Sequence, residues 1–283
     1  MRNTRSTRTC GRKPGGFNHT FTAVALGIFF LAVAPGCVDN TARQQVLDGS
    51  SSLKSGDYDG ALQKADAYLQ KYPSGPEAAE AYYLRGRAYE QRAQDPRYSP
   101  TPAQARASLT AAREAYGRGL ALRPPPVVQS YLHAQIANIA YFDEEDYNTA
   151  AREWQTAYEN AQPDNVKAPI LYRIGLCQQR LGRFNEADRS FTLVRQQYPD
   201  TEAAAKAGSR MGARAFYVQV GVFADTANAE RAAIALRQQG FPTSRAVDAG
   251  RQIVRVGPMG TYVEAKDMKA RLAGLYPGAI IQP

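Results

Sequence analysis

The chain has 283 residues, enough for about two domains. With 44% hydrophobic and 22% charged residues it is not wholly disordered, collagen-like or a multi-span membrane protein. Its formal charge of +9 invites a polyanion partner, but residues 1–36 hold Arg2, Arg5, Arg8, Arg12, Lys13 and no acid; without them the excess falls to +4, no nucleic-acid footprint.

In chain order, the basic start leads into an apolar run, Phe21 to Ala34, that ends at Pro35-Gly36-Cys37. This reads as a secretory signal over residues 1–36. The run is shorter than the ~20 residues a membrane-spanning helix needs. Gly36-Cys37 resembles a bacterial lipobox, although Ala34 stands where that pattern prefers Leu and Pro35 is unusual beside it. The resemblance implies acylation of Cys37, a short tether over 37–41 and a periplasmic, membrane-anchored lipoprotein, in the outer membrane if the cell has two. Ordinary cleavage beyond Cys37 is the alternative.

Cys10 and His19 leave with the signal, so only Cys177, Cys37 and His133 remain of the three Cys and two His. No disulfide framework, His-bearing triad or multi-His metal site is expected, and no cofactor. Cys177 lies among Leu171, Ile174, Gly175, Leu176 and Leu181 and reads as a small core residue.

A repeat follows. Gly56-Asp57-Tyr58 with Ala61 and Pro73 returns as Gly182-Arg183-Phe184 with Ala187, Phe191 and Pro199, at the same spacing. Asp146-Tyr147 with Ala150, Trp154, Ala157 and Pro163 makes another unit, and Ala112, Tyr116, Gly119 and Pro124 finish one more. Gly49, Gly86 with Tyr89, Tyr141 and Gly175 belong to the first helices. The pattern resembles the tetratricopeptide (TPR) family, with four units over about 42–200, a proline-rich insertion at Gln94–Pro102 and a capping helix over Glu202–Met211, so that the helical domain spans 42–213. Stacked units of this kind leave a concave groove that binds a protein partner. Asn138, Tyr141, Arg173 and Gln178 are groove candidates, each more readily explained as packing or solvated.

At residue 215 the period changes. Phe216 to Phe223 alternates as a strand, and Ala229, Ala232, Ala233 and Leu236 form one face of a helix capped by Asp225 or Thr226 and ended by Gly240. Thr243–Val247 and Gln252–Val256 read as strands around Asp248-Ala249-Gly250, with Gly257-Pro258 ending the second. A capping box at Thr261 and Glu264 opens a helix with Ala265, Met268, Leu272 and Leu275 inward, and Ala279–Ile281 forms the last strand. The fold expected is an all-α TPR solenoid followed by a small α+β domain of βαββαβ order, ferredoxin-like or RNP-like.

Tyr217-Val-Gln-Val-Gly-Val-Phe223, Ala232 to Gly240 and Val254-Arg-Val-Gly-Pro258 resemble the SPOR (sporulation-related repeat) domain over residues 215–283. That resemblance implies binding to peptidoglycan glycan strands stripped of their stem peptides, through the open face of the sheet, in cell-wall remodelling or division. Alternation sends Val218, Val220, Val254 and Val256 inward and Tyr217, Gln219, Arg251, Ile253 and Arg255 outward, with a bulge at Gly221 turning Val222 to the open face. The family often has Ser at the position of Val222 and Arg at that of Ile253. Tyr217 offers a ring to a sugar, Gln219 offers a donor and an acceptor, and Arg255 with Arg251 offers a bidentate cation to the lactyl carboxylate that stripping exposes.

The expected function is thus a non-enzymatic envelope adaptor with a lipid anchor, a wall-binding face and a protein in the TPR groove. The alternative is an envelope-assembly scaffold whose SPOR-like domain binds protein or has lost glycan affinity. An RNA-recognition module shares the strand order, but the sheet lacks paired aromatic strand motifs and the chain is exported. A glycan hydrolase would need two facing carboxylates, and none falls among the outward residues.

Overall fold

The computed structural model describes residues 40–162 and 166–283. Residues 1–36, expected to be a secretory signal, lie outside the described residues, as do Cys37 and Pro163. No described helix is long and apolar enough to cross a membrane.

The helices pair antiparallel along the chain: α1 (Asn40–Lys54) with α2 (Tyr58–Lys71), α3 (Ala78–Gln94) with α4 (Pro102–Ala121), α5 (Pro126–Phe142) with α6 (Tyr147–Asn160), and α7 (Lys167–Arg180) with α8 (Phe184–Gln197). Short α9 (Glu202–Gly208) closes the stack against α7 and α8. The turns of the first, third and fourth pairs share one device. Gly56, Glu145 and Gly182 take positive φ of 81°, 56° and 78°, each just before the helix that follows. Asp57 and Asp146 then accept from the Gly60 and Thr149 amides at 2.9 and 3.0 Å, satisfying N–H groups that the new helix leaves unpaired. Glu145 in a left-handed position explains why the third unit carries the Asp-aromatic pair without the preceding glycine.

Tyr116, Trp154 and Phe191 are fully buried, each between the helices of its own unit. The small residues opposite make room for them. A Cβ on Gly86 would lie 2.2 Å from Tyr116, and one on Gly175 would lie 2.5 Å from Phe191. The insertion after α3 is not wholly superficial, since Tyr98 packs its ring on Tyr58 at 5.3 Å and Ser99 is buried.

The C-terminal part is a four-stranded antiparallel sheet in the order β2-β3-β1-β4, with β1 (Phe216–Phe223), β2 (Thr243–Asp248), β3 (Arg251–Met259) and β4 (Ile280–Gln282). Helices α10 (Thr226–Gln238) and α11 (Tyr262–Leu272) cover one side, where Val218, Val254 and Val256 meet Ala229, Ala233, Leu236, Ala265 and Leu272. Ala249 and Gly250, at φ of 47° and 76°, close the tight β2–β3 turn with the twist that antiparallel strands favour.

Three expectations are corrected. β3 does not stop at Gly257-Pro258 but continues to Met259, which pairs with Phe216. The register shifts there, so proline, which has no N–H to give the ladder, falls in an irregularity, and Gly257 N–H donates to Pro242 at 2.9 Å instead. Leu275 is 52% exposed, because α11 ends at Leu272 and the chain turns so that Tyr276 packs instead. In the capping box, Thr261 accepts from the Glu264 amide as expected, whereas the Glu264 carboxylate takes the Gly260 amide rather than that of Thr261.

The two parts pack directly. Phe184 joins the core of the C-terminal part and lies 5.6 Å from the Phe216 ring, while Tyr147 meets Tyr262 at 6.1 Å. Gly182 approaches the Gly260 carbonyl so closely that a Cβ would sit 2.5 Å from its oxygen. Lys266 bonds Glu145 across the same seam.

Candidate functional site

The side of the sheet away from α10 and α11 carries every outward residue expected from the alternation. Gln219 pairs with Arg255, and Val222 pairs with Ile253. Between these two pairs the register shifts by one residue in β1, between Gln219 and Gly221, and this bulge returns Val222 to the open side. Val222 is 46% exposed. Arg251 lies at the β2–β3 turn opposite Asp248, exposed and without an ion pair among the described residues.

Tyr217 and Arg255 form a unit. The guanidinium carbon of Arg255 stands 3.8 Å from the Tyr217 ring centroid, and its Nε donates to Ser244 Oγ at 3.2 Å. The ring itself rests against Gly257, where a Cβ would come within 2.9 Å of it. Glycine at φ 140° therefore serves both the backbone bend and the close approach of the ring. The outer fork of Arg255, its two Nη atoms, has no partner among the described residues. The result is a cation held on two sides whose two Nη atoms keep their donors unused among the described residues. That geometry suits bidentate recognition of a carboxylate. Tyr217, expected to offer its ring to a sugar, carries the guanidinium on one face.

Four further residues share this face, among them Ala246 opposite Ile253 and Gln282 opposite Tyr217. Ser244 sits opposite Arg255 on β2, and Ile280, 44% exposed, sits opposite Gln219 on β4. Period-two counting along β2 from its turn would have found Ser244; β4 is too short for its phase to be read.

In the solenoid a polar ladder crosses the first helices of successive pairs. Arg87 of α3 donates to Gln135 of α5 at 3.3 Å, Asn138 donates to the same Gln135 oxygen at 2.9 Å, and Arg173 of α7 donates to Asn138 at 2.9 Å. Desolvation lowers the pKa of Arg173, whose guanidinium lies 5.4 Å from the Trp154 ring centroid and has no carboxylate partner among the described residues. Glu90, buried, bonds Arg87 at 2.9 Å and accepts from Tyr116 at 2.8 Å. Of the groove candidates, Asn138 and Arg173 belong to this ladder, whereas Tyr141 is buried core and Gln178 is taken by Ser190 at 2.7 Å. His133 bonds Glu153 at 2.8 Å, and this hydrogen bond holds the Glu153 carboxyl below its ordinary range. Cys177 is buried, and burial pushes its thiol up to about 12. Among the described residues no cluster of three or more His, Cys, Asp or Glu could hold a metal.

Comparison with known families agrees with this division. Residues 212–283 match the SPOR domain, residues 42–116 match an outer membrane lipoprotein family, and residues 170–201 match the tetratricopeptide repeat. No curated protein matches the chain. Among solved structures, a thermophilic TPR protein of Thermus thermophilus aligns with 16% identity and a TM-score of 0.47, over 60% of this chain and 80% of that one. The chain is thus built of a TPR-type helical solenoid and a C-terminal SPOR domain.

Proposed function

We propose that the protein is a non-enzymatic adaptor of the bacterial cell envelope. Its SPOR sheet binds peptidoglycan strands that have lost their stem peptides, its solenoid holds a protein partner, and acylated Cys37 ties it to a membrane. The observation that carries the wall-binding half is the Tyr217–Arg255–Ser244 arrangement. A guanidinium fixed by a ring and a hydroxyl loses little side-chain freedom on binding an anion. Removal of a stem peptide turns the lactyl amide of muramic acid into a carboxylate, which is the anion this fork fits. Gln219, directly opposite Arg255 on the ladder, supplies a donor and an acceptor for sugar hydroxyl or acetamide groups.

The match of residues 42–116 to an outer membrane lipoprotein family supports the lipid anchor and the envelope location. The TPR match supports a protein partner, and the Arg87–Gln135–Asn138–Arg173 ladder lines the first helices on which such a partner would rest. A role in division or wall remodelling follows from the denuded-strand ligand.

The test is co-sedimentation of the full-length protein with purified sacculi, intact and after amidase treatment, at low and moderate salt. Pelleting that rises with stem-peptide removal and persists in salt is the expected result. Absence of pelleting with both preparations overturns the wall-binding reading and leaves a protein-binding scaffold.

A further inference from the structure

Two of the first helices, α3 and α7, carry arginines whose charges are balanced differently. Arg85, Arg87 and Arg92 of α3 each meet a carboxylate, at 3.3, 2.9 and 3.2 Å. Arg173 and Arg180 of α7 meet none among the described residues; Asn138 holds the first and the Tyr147 hydroxyl holds the second. Arg180 is enclosed by three rings at the join with the sheet domain. Arg173 has one ring, Trp154, and stays half-buried, with its Nε and second Nη without a partner among the described residues. The indole Nε1 of Trp154 is itself a buried donor without a partner among the described residues. This corner of the groove gathers donors and a desolvated positive charge with no anion to offset them, which costs stability until an acceptor completes it.

We infer that Arg173 anchors an acidic side chain of the protein held in the groove, presented by an extended segment that crosses α5 and α7. The inference rests on the protein-partner half of the function proposed above and adds the chemistry of that partner. Arg87 and Asn138 mark the groove face of α3 and α5. Tyr83 lies one turn before Arg87, and Tyr131 lies two turns before Asn138, so both stand on that face, where their half-buried rings pack at 6.2 Å. Two turns of helix cover ~11 Å, about the length of three extended residues. The segment that fits therefore carries Asp or Glu with an apolar side chain about three residues away. Its carboxylate meets the unused donors of Arg173, and its apolar group rests on Tyr83 and Tyr131.

The full-length protein is immobilised and panned against random peptides fused through their C-termini to a phage coat, so that no peptide offers a free terminal carboxylate. Enriched peptides should carry Asp or Glu with an apolar residue about three positions away. The strongest is synthesised with an amidated C-terminus, and its affinity is compared by fluorescence anisotropy with that of the form in which the acid is replaced by its amide. On the wild type the amide form should bind at least about tenfold more weakly, the scale of a hydrogen-bonded charge pair. On Arg173→Gln, which keeps a donor for Asn138, the two forms should bind alike, with circular dichroism and melting unchanged. The wild-type comparison needs no variant, so it decides even where Arg173→Gln melts early. Peptides enriched without an acid, an amide form that binds the wild type equally well, or an acid preference that survives in folded Arg173→Gln overturns the anchor and leaves protein binding by the groove standing. No enrichment above the uncoated support overturns the anchor and the protein-binding groove together.

Discussion

Arg180, at the end of the last repeat's first helix, lies with its guanidinium carbon 4.3 Å from the ring centroid of Tyr262, the first residue of α11 in the SPOR domain. The same cation stands 4.3 Å from Tyr141 and 5.0 Å from Tyr147, and it donates to the Tyr147 hydroxyl at 3.0 Å. It has no carboxylate partner among the described residues, so aromatic faces supply its stabilisation.

Arg180→Ala should therefore loosen the join between the two parts while leaving each core intact. Cation–π contacts and lost packing of this kind contribute roughly 1–2 kcal/mol. Calorimetry should show one unfolding transition in the wild type and two resolved transitions in the variant. A single unshifted transition in the variant would show that Arg180 contributes little.

Gly86→Ala should destabilise the second repeat by roughly 1–3 kcal/mol, because the new methyl falls 2.2 Å from the Tyr116 ring and overpacks the seam. Moving that ring also breaks its bond to buried Glu90. Urea unfolding gives the cost, and Gly117→Ala, where a Cβ meets nothing within 4 Å, is the control without overpacking and should stabilise by up to ~1 kcal/mol because alanine favours the helix interior.

The loop from Asp143 to Asp146 holds two carboxyls with opposite pH behaviour. Hydrogen bonding to Thr149 holds Asp146 below the usual aspartate value, so its stabilisation is present above ~4 and is lost as the pH falls through the lower folded-state value. Asp143 is pushed up to about 6 by desolvation, with Glu90 and Glu144 adding to it. Its charge opposes folding, so stability is lost as the pH rises from the ordinary value through about 6; the side chain keeps solvent contact and its carboxyl is only partly desolvated, which keeps the effect small. Asp143→Asn should raise the melting temperature at pH 7.5 but not at pH 3.5. Asp146→Asn, which keeps a capping acceptor, should flatten the acid limb of the melting curve.

Cys177 should resist alkylation at pH 8 in the folded protein and react promptly in denaturant, since its thiol is buried and pushed up to about 12. Mass spectrometry of iodoacetamide-treated protein across a urea series should show labelling that follows global unfolding. Full labelling in buffer would reveal local opening of α7.

Arg255→Lys keeps the charge but removes the flat fork and its fit over Tyr217. Binding to amidase-stripped sacculi should fall about tenfold, and Arg255→Ala should bind no better than Arg255→Lys. Retention of full binding by the lysine variant would reduce Arg255 to a general electrostatic contribution.

The helix pairs could be read from the sequence because the tight turns and the close packing within a pair need particular residues at fixed spacing: a left-handed position, an Asp cap, a small residue facing an aromatic. The outward residues of β1 and β3 could be read because alternation is strict once Val218, Val254 and Val256 define the buried side. Strand ends were less legible. Proline at 258 normally stops a ladder, and only the register shift opposite Tyr217 shows how β3 passes it. Contacts set by the meeting of distant segments leave no periodic trace. Arg180 and Tyr262 are neighbours only because two separately specified parts dock, and nothing in the spacing of Arg255 and Tyr217 announces that one lies on the other.

The close approach of Gly182 to the Gly260 carbonyl has a mechanical meaning. With backbone against backbone at that point, and with Phe184 against Phe216 and Arg180 against Tyr262 beside it, the connecting residues 209–215 are not the sole route for tension between the parts. A force applied to the sheet passes through β1 and α11 into the ends of α7 and α8. The molecule then behaves as a stiff bracket, in which the solenoid is displaced together with the sheet.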